Sequence, residues 1–327
     1  MKHTEKKSSS QVKKPNPIER IIAALDAFQQ RHKWAALPYA VIKKYGDDEA
    51  GYQAALIAYY GFLSLFPLLI VATAVIQLVA QGDPALQERL LGNITGYFPA
   101  IGQNLADSIR TPSRSGVALA VGLLITFYGA KGVADAVQHS LNHVWAVPRH
   151  ARAGVPKNTL RSFSIIIFGG LGLVLAAAIT SFATSAKHDF AIRILLWLGG
   201  FVVLYSVLWA LFTFGSSARK RPFANVPGAL LAAIMFTVLQ AVGSYIITRQ
   251  LKGQTGLNAQ FALVLAILFW MYLQAQVLLY AIELNTVRAL KLWPRSIQPK
   301  PPLAADKKAY QLYRGRETFH VDEPVGH

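Results

Sequence analysis

From Gly51 to Gly82 the chain carries no charged residue. A run of about 20 apolar residues is enough to cross a hydrocarbon core of about 30 Å as an α-helix. A soluble core helix rarely needs such a run. Composition agrees: 53% of the 327 residues are hydrophobic and 15% are charged, against about 25% charged in typical soluble domains. The chain therefore reads as an all-α, polytopic membrane protein.

Further apolar runs follow. Six spans are expected, at about 53–80, 116–135, 163–186, 192–214, 226–248 and 260–282. They divide the chain into a disordered basic tail (1–17), an amphipathic cytoplasmic helix region (18–47), a six-helix membrane domain (48–290) and a basic cytoplasmic tail (291–327). In the second region Ile18, Ile21, Ile22, Leu25 and Phe28 recur at helical spacing among basic residues. That pattern fits a helix lying on the membrane surface or one packed on the membrane domain. Residues 84–110 repeat apolar positions at near-helical spacing but carry charges, so they read as amphipathic helices on the outer face.

Charge sets the orientation. Net charge is +17, which in a membrane protein points to Lys and Arg retained on the cytoplasmic side, near anionic lipid headgroups. With six spans, 25 Lys and Arg fall on the side of the termini and 7 on the other, with Lys131 inside a span. An odd number of spans destroys this asymmetry. Both termini are therefore expected in the cytoplasm. The basic segments lack the interleaved aromatics of a single-strand binder, so no specific nucleic acid is expected. Oligomeric state is not legible.

Enzyme chemistry finds little support. Without cysteine there is no disulfide, thiolate zinc site or cysteine nucleophile. No phosphate-binding Gly-rich loop with Lys and no His-Glu-x-x-His are present, and no cofactor is expected. The first apolar run is too long for a signal-peptide core, so it is expected to remain as a membrane helix.

The polar residues within the spans are the candidates for a site. Lys131, Asp135, His139 and His143 recur every four residues and share one stripe of the second helix. An intramembrane lysine is costly unless paired, and Asp135 is one turn away. The stripe fits a solvated helix end with Lys131 snorkelling to headgroups, a polar cavity open to the cytoplasm, or a weak metal site of Asp135, His139 and His143. Glu283 ends the sixth span and either pairs with a base on another helix or meets water; Asn285 follows it. Tyr59, Tyr60, Ser64 and Pro67 mark a span with a proline near its middle, which reads as a packing kink or a gate. Gln274 and Gln276 can bridge helices or face a polar pocket, and Gly169, Gly170, Gly172, Gly199 and Gly200 permit close helix approach.

Four segments carry a family resemblance. Residues 58–69, Ala-Tyr-Tyr-Gly-Phe-Leu-Ser-Leu-Phe-Pro-Leu-Leu, resemble the first-span signature of the YihY/BrkB family of bacterial inner-membrane proteins. Ser140-Leu141-Asn142-His143-Val144-Trp145 resembles its Leu-Asn-x-x-Trp element, and Val226-Pro227-Gly228-Ala229 the start of its fifth span. Residues 268–272 with Ile282-Glu283-Leu284-Asn285 resemble its sixth-span ending, although Ala281-Ile282 replaces the usual Gly-Ala pair. The resemblance implies six membrane helices with cytoplasmic ends. The family also carries an older ribonuclease BN label, for which this sequence offers no metal-binding carboxylates or partnered general base, and virulence labels that name a phenotype. No catalytic residue carries over. The expectation is a non-enzymatic membrane protein that transports or binds a lipid or amphipathic substrate in a helix-lined cavity. A scaffold recruiting partners through its basic tails is the alternative.

Overall fold

A computed structural model of the chain describes residues 17–79, 116–184, 189–250, 257–297 and 302–320. The basic tail before residue 17 and the expected outer segment 84–110 lie outside the described residues. Everything regular within them is helical, with no strand among the described residues.

The chain begins with α1 (Pro17–Arg31) and α2 (Lys33–Asp47), broken at His32, whose backbone is extended. Pro17 opens α1 where its missing N–H costs nothing, and Glu19 and Arg31 match the ends of the helix dipole. Next comes α3 (Ala50–Val79), which runs on through Pro67. The fourth helix is α4 (Gly116–Val144). Then α5 (Val155–Ser164) passes through a π turn, Ile165–Gly169, into α6 (Gly170–Thr184) without a break. The chain continues with α7 (Phe190–Phe214), α8 (Val226–Gln250) and α9 (Leu257–Ala289). Finally α10 (Ala304–Arg316) lies within the segment read from sequence as a basic tail.

Helix neighbours form a circuit: α4 on α3, α3 on α9, α9 on α8, α8 on α7, α7 on α6, with α5 returning to α4. Directions alternate around it. The N-terminal ends of α3, α5 and α8 and the C-terminal ends of α4, α7 and α9 meet at one end, where α1, α2 and α10 also pack. We call this the basic end. The main buried cluster sits there, with Ala54 and Ile57 of α3, Leu141 and Val144 of α4, Phe212 of α7, Ala229 and Ala233 of α8, and Leu279 and Ile282 of α9. Further along the same helices Leu124, Leu195, Val238 and Phe261 are exposed. Phe190–Phe214, Pro222–Gly243 and Val264–Ala289 are each long and apolar enough to cross a membrane. Large apolar side chains left bare on such helices call for lipid.

Small residues set the closest approaches. Gly129 and Gly132 of α4 have no room for a Cβ, because Ser64 and Tyr60 of α3 occupy the space. Between α6 and α7 the same holds at Gly172, against Val207, and Gly200, against Thr180. Gly169 and Gly170 face open space and Gly199 makes only ordinary contact, so close approach uses two of the five glycines singled out by sequence.

Candidate functional site

Two of the helix ends at the basic end close in the same way. After α4, Ala146 takes a left-handed conformation (φ 51°), while Val147 N–H reaches Asn142 O and Ala146 N–H reaches His143 O. After α9, Lys291 does the same (φ 54°), with Leu292 N–H on Val287 O and Lys291 N–H on Arg288 O. Both are Schellman closures, for which glycine is the usual residue.

At the centre of this end the Lys44 side chain of α2 is 1% exposed. Its Nζ lies 2.5 Å from Asp48 Oδ2 and 2.9 Å from Glu283 Oε2, and those two side chains are fully buried. The same ammonium donates to Val144 O, the last residue of α4, at 2.9 Å. One cation therefore ties α2, α4 and α9 together. Burial works against the charged lysine, but Glu283 and Asp48 outweigh it and hold Lys44 above its ordinary range. Arg316 of α10 adds a second cation, donating from Nη1 to Asp48 Oδ1 at 2.9 Å. Glu283 thus takes the first of its two sequence readings, a base on another helix.

A second buried knot anchors the C-terminal segment. Arg295, fully buried, donates from Nε to Asp306 Oδ1 at 2.5 Å and from Nη2 to Asp47 Oδ2 at 2.8 Å. Asp306 also receives Lys43 Nζ and the backbone N–H groups of Ser296 and Leu303. Burial opposes the Asp306 carboxylate, yet Arg295 holds it below the ordinary range. Sequence reading counted these residues only as charge. The i, i+4 spacing of Lys44 and Asp48, and the helical spacing of Ala309, Leu312, Tyr313 and Arg316, are the signals that could have found them.

The remaining motif residues converge on the same end. Asn142 Oδ1 accepts from Ser217 N–H at 2.7 Å and so holds the turn after α7. In that turn Lys220 lies 4.5 Å over the Trp145 ring and donates to Ser216 Oγ at 2.8 Å. Burial, with Arg161 nearby, pushes Lys220 down to about 7. Asn285 Oδ1 accepts from Gly228 N–H at 2.7 Å, one of the N–H groups that the start of α8 leaves unpaired. Gly228 packs so closely on the Ala281 carbonyl and the Asn285 amide that a Cβ does not fit. The Pro-Gly start of one span and the Glu-x-Asn end of the next are thus two halves of one contact.

The other candidates fall elsewhere. Tyr60 and Ser64 face α4, the Ser64 hydroxyl donating to Gly61 O at 2.8 Å, while Tyr59 is exposed. No side-chain position is described for Pro67. Gln274 is half-buried on α9. Lys131 and Asp135 form an ion pair at 34% and 35% exposure. Asp135 Oδ1 also accepts from Ser162 Oγ at 2.5 Å and weakly from Asn158 Nδ2 at 3.4 Å, both on α5. His139 and His143 stack with their rings 6.2 Å apart. Among the described residues no group of three or more His, Asp or Glu could hold a metal ion, and the Asp135 oxygens are committed to Lys131 and α5.

An all-helical chain with long apolar helices left bare for lipid is a membrane protein of many helices. The virulence factor BrkB family matches residues 41–303, and the chain belongs to that family. It is 27% identical to the inner membrane protein YhjD of Escherichia coli K12, over 72% of this chain and 75% of the relative. It is 22% identical to the ribonuclease-like protein YfkH of Bacillus subtilis, over 76% and 93%. With a UPF0761 membrane protein of Psychrobacter it shares 23% identity over 88% of this chain and 54% of the relative. The family and the names of these relatives place the chain in the bacterial inner membrane. No solved structure matches it.

Proposed function

We propose that the chain crosses the cytoplasmic membrane six times, with both termini inside, and that it binds or moves a lipid or other amphipathic molecule without catalysing a reaction. The alternating directions of α3, α4, the 155–184 segment, α7, α8 and α9 support six crossings, and the 25-to-7 division of Lys and Arg supports the orientation.

The observation that carries the lipid reading is the half-open Lys131–Asp135 pair. Charges within a spanning helix are expensive and face a polar partner, water or substrate. The pair is roofed by α5 but not sealed, unlike the Lys44 cluster a few residues deeper into the basic end. It offers the half-exposed Lys131 ammonium to a passing anionic headgroup, with the Asp135 carboxylate, itself held from α5, keeping the lysine in place. Scrambling of a labelled phospholipid in proteoliposomes tests this: Lys131→Ala and Asp135→Ala are expected to lower the flux, and unchanged flux in both removes the pair from the mechanism. RNA cleavage by the purified protein with a divalent metal would overturn the non-enzymatic reading.

The scaffold alternative is supported less well, because α10 spends Arg316 and Asp306 within the chain. Removing only residues 1–16 and 321–327 tests it. Retained function supports the membrane core as the active part.

A further inference from the structure

The first helix leaves most of its apolar stripe uncovered, which is unfavourable for a protein surrounded by water. It docks through a narrow edge: Asp26 Oδ1 accepts from Ile297 N–H at 3.0 Å, Gln29 Nε2 donates to Arg295 O at 2.5 Å, and Ile22 beside them is half-buried, while Arg20, Gln30 and Arg31 are exposed. Its apolar stripe, Ile18, Ile21, Leu25 and Phe28, is turned outward and is 44–69% exposed. The stripe does not stop at the helix end. The Phe28 ring meets Trp34 edge-on at 5.7 Å, and Trp34, 70% exposed, opens a groove of about 610 Å³. That groove is lined by Lys33, Trp34, Leu37, Arg288, Lys291 and Trp293. Among the described residues it holds three exposed cations, two indoles and no carboxylate.

We propose that this groove and stripe form a binding site for an acidic phospholipid of the leaflet that the basic end faces. The phosphate sits among Lys33, Arg288 and Lys291, the two indoles lie at the headgroup boundary, and an acyl chain follows the stripe of α1. Depth supports this placement, because Arg288 is the last basic residue of α9 and lies at the end of the spanning stretch Val264–Ala289. Indoles and snorkelling cations belong at that level. Charge selects the occupant. A zwitterionic headgroup finds no acid for its ammonium, and a second copy docked through the same patch sets three cations against three.

Lys291 occupies the left-handed closing position of α9, where glycine is favoured. Glycine can therefore replace this lysine and remove its charge without a backbone penalty.

The proposal rests on the membrane placement above but not on lipid movement, so the two fail separately: flux in Lys131→Ala judges that reading, and lipid retention judges this one. The experiment uses the full chain in neutral detergent, with native mass spectrometry counting bound phosphatidylglycerol or phosphatidylcholine. The wild type is expected to retain phosphatidylglycerol preferentially. Removing charge is expected to cost about fivefold in affinity per residue and about 100-fold for Lys33→Gln, Arg288→Gln and Lys291→Gly together. Lys291→Gly alone separates binding from folding, because it should melt no lower than the wild type and still bind the acidic lipid more weakly. Equal retention of the two lipids, or unchanged binding by the triple variant, overturns the proposal. So does a dimer that Ile21→Asp converts to a monomer, since the stripe then belongs to a second copy.

Discussion

Lys44 of α2 with Asp48 at its C-terminal cap, and Lys131 with Asp135 on α4, are ion pairs of the same residue types at the same i, i+4 spacing. The first pair is sealed. It has gained Glu283 from α9, the carbonyl of Val144 and the guanidinium of Arg316. Two cations, Lys44 and Arg316, therefore meet the carboxylates of Asp48 and Glu283. The second pair is a third exposed on each side and leans only on Ser162 and Asn158 of α5. A buried pair pays for its desolvation only when geometry and extra hydrogen bonds are good, and breaking one side is then severe. An open pair contributes little to stability. Identical local sequence patterns thus serve different ends: the first fastens helices together, and the second is left available.

The largest expected effect follows from that contrast. Lys44→Ala leaves Glu283 buried without its cation and should destabilise the fold by about 3–5 kcal/mol, read as a lower melting temperature in detergent. Lys44→Met combined with Glu283→Leu should cost clearly less than the sum of the single changes. An additive result would break the claim that the two are coupled.

Next in size is the joint between α8 and α9. Asn285→Ala withdraws the acceptor from the buried Gly228 N–H and should cost about 1–3 kcal/mol. Gly228→Ala should be at least as damaging, because the Ala281 backbone stands where the new methyl must go. A benign Gly228→Ala would mean that α8 and α9 do not approach so closely.

Lys131→Ala should cost no more than about 1 kcal/mol, so any loss of flux in that variant is not a loss of fold. A pH dependence is expected as well. Lys220, held down to about 7, is neutral in the fold and charged in the unfolded chain between about pH 7 and the ordinary lysine range near 10.4. The unfolded state then binds the extra proton, so stability should rise with pH across that window and stay level below it. Lys220→Met should flatten the rise in a pH series of thermal melts.

Much of this fold is legible in the sequence, because apolar runs of spanning length are a one-dimensional signal. The α7, α8 and α9 helices lie where hydropathy puts them, and several of the resemblance motifs fall on residues that pack together at the basic end. Their roles are not legible. Asn285 and Gly228 are 57 positions apart, and only packing shows that one holds the other. The α10 helix was missed for the same reason: Arg295 reaches back to Asp47 and Arg316 to Asp48, across more than 240 residues. A charge count registers such residues as a basic tail. Tyr60 and Ser64 carry the first-span signature, yet which of their faces meets Gly132 and Gly129 depends on the neighbouring helix. The exposure of the α1 stripe is likewise invisible, since periodicity finds an apolar stripe without saying which way it faces.

The most direct test sets the two lysines side by side, with Lys44→Ala and Lys131→Ala prepared in the same detergent, melted, and reconstituted for phospholipid flux. The account predicts a sharply lowered melting temperature for Lys44→Ala, and a wild-type melt with reduced flux for Lys131→Ala. Wild-type melting by Lys44→Ala, or wild-type flux by Lys131→Ala, would contradict it.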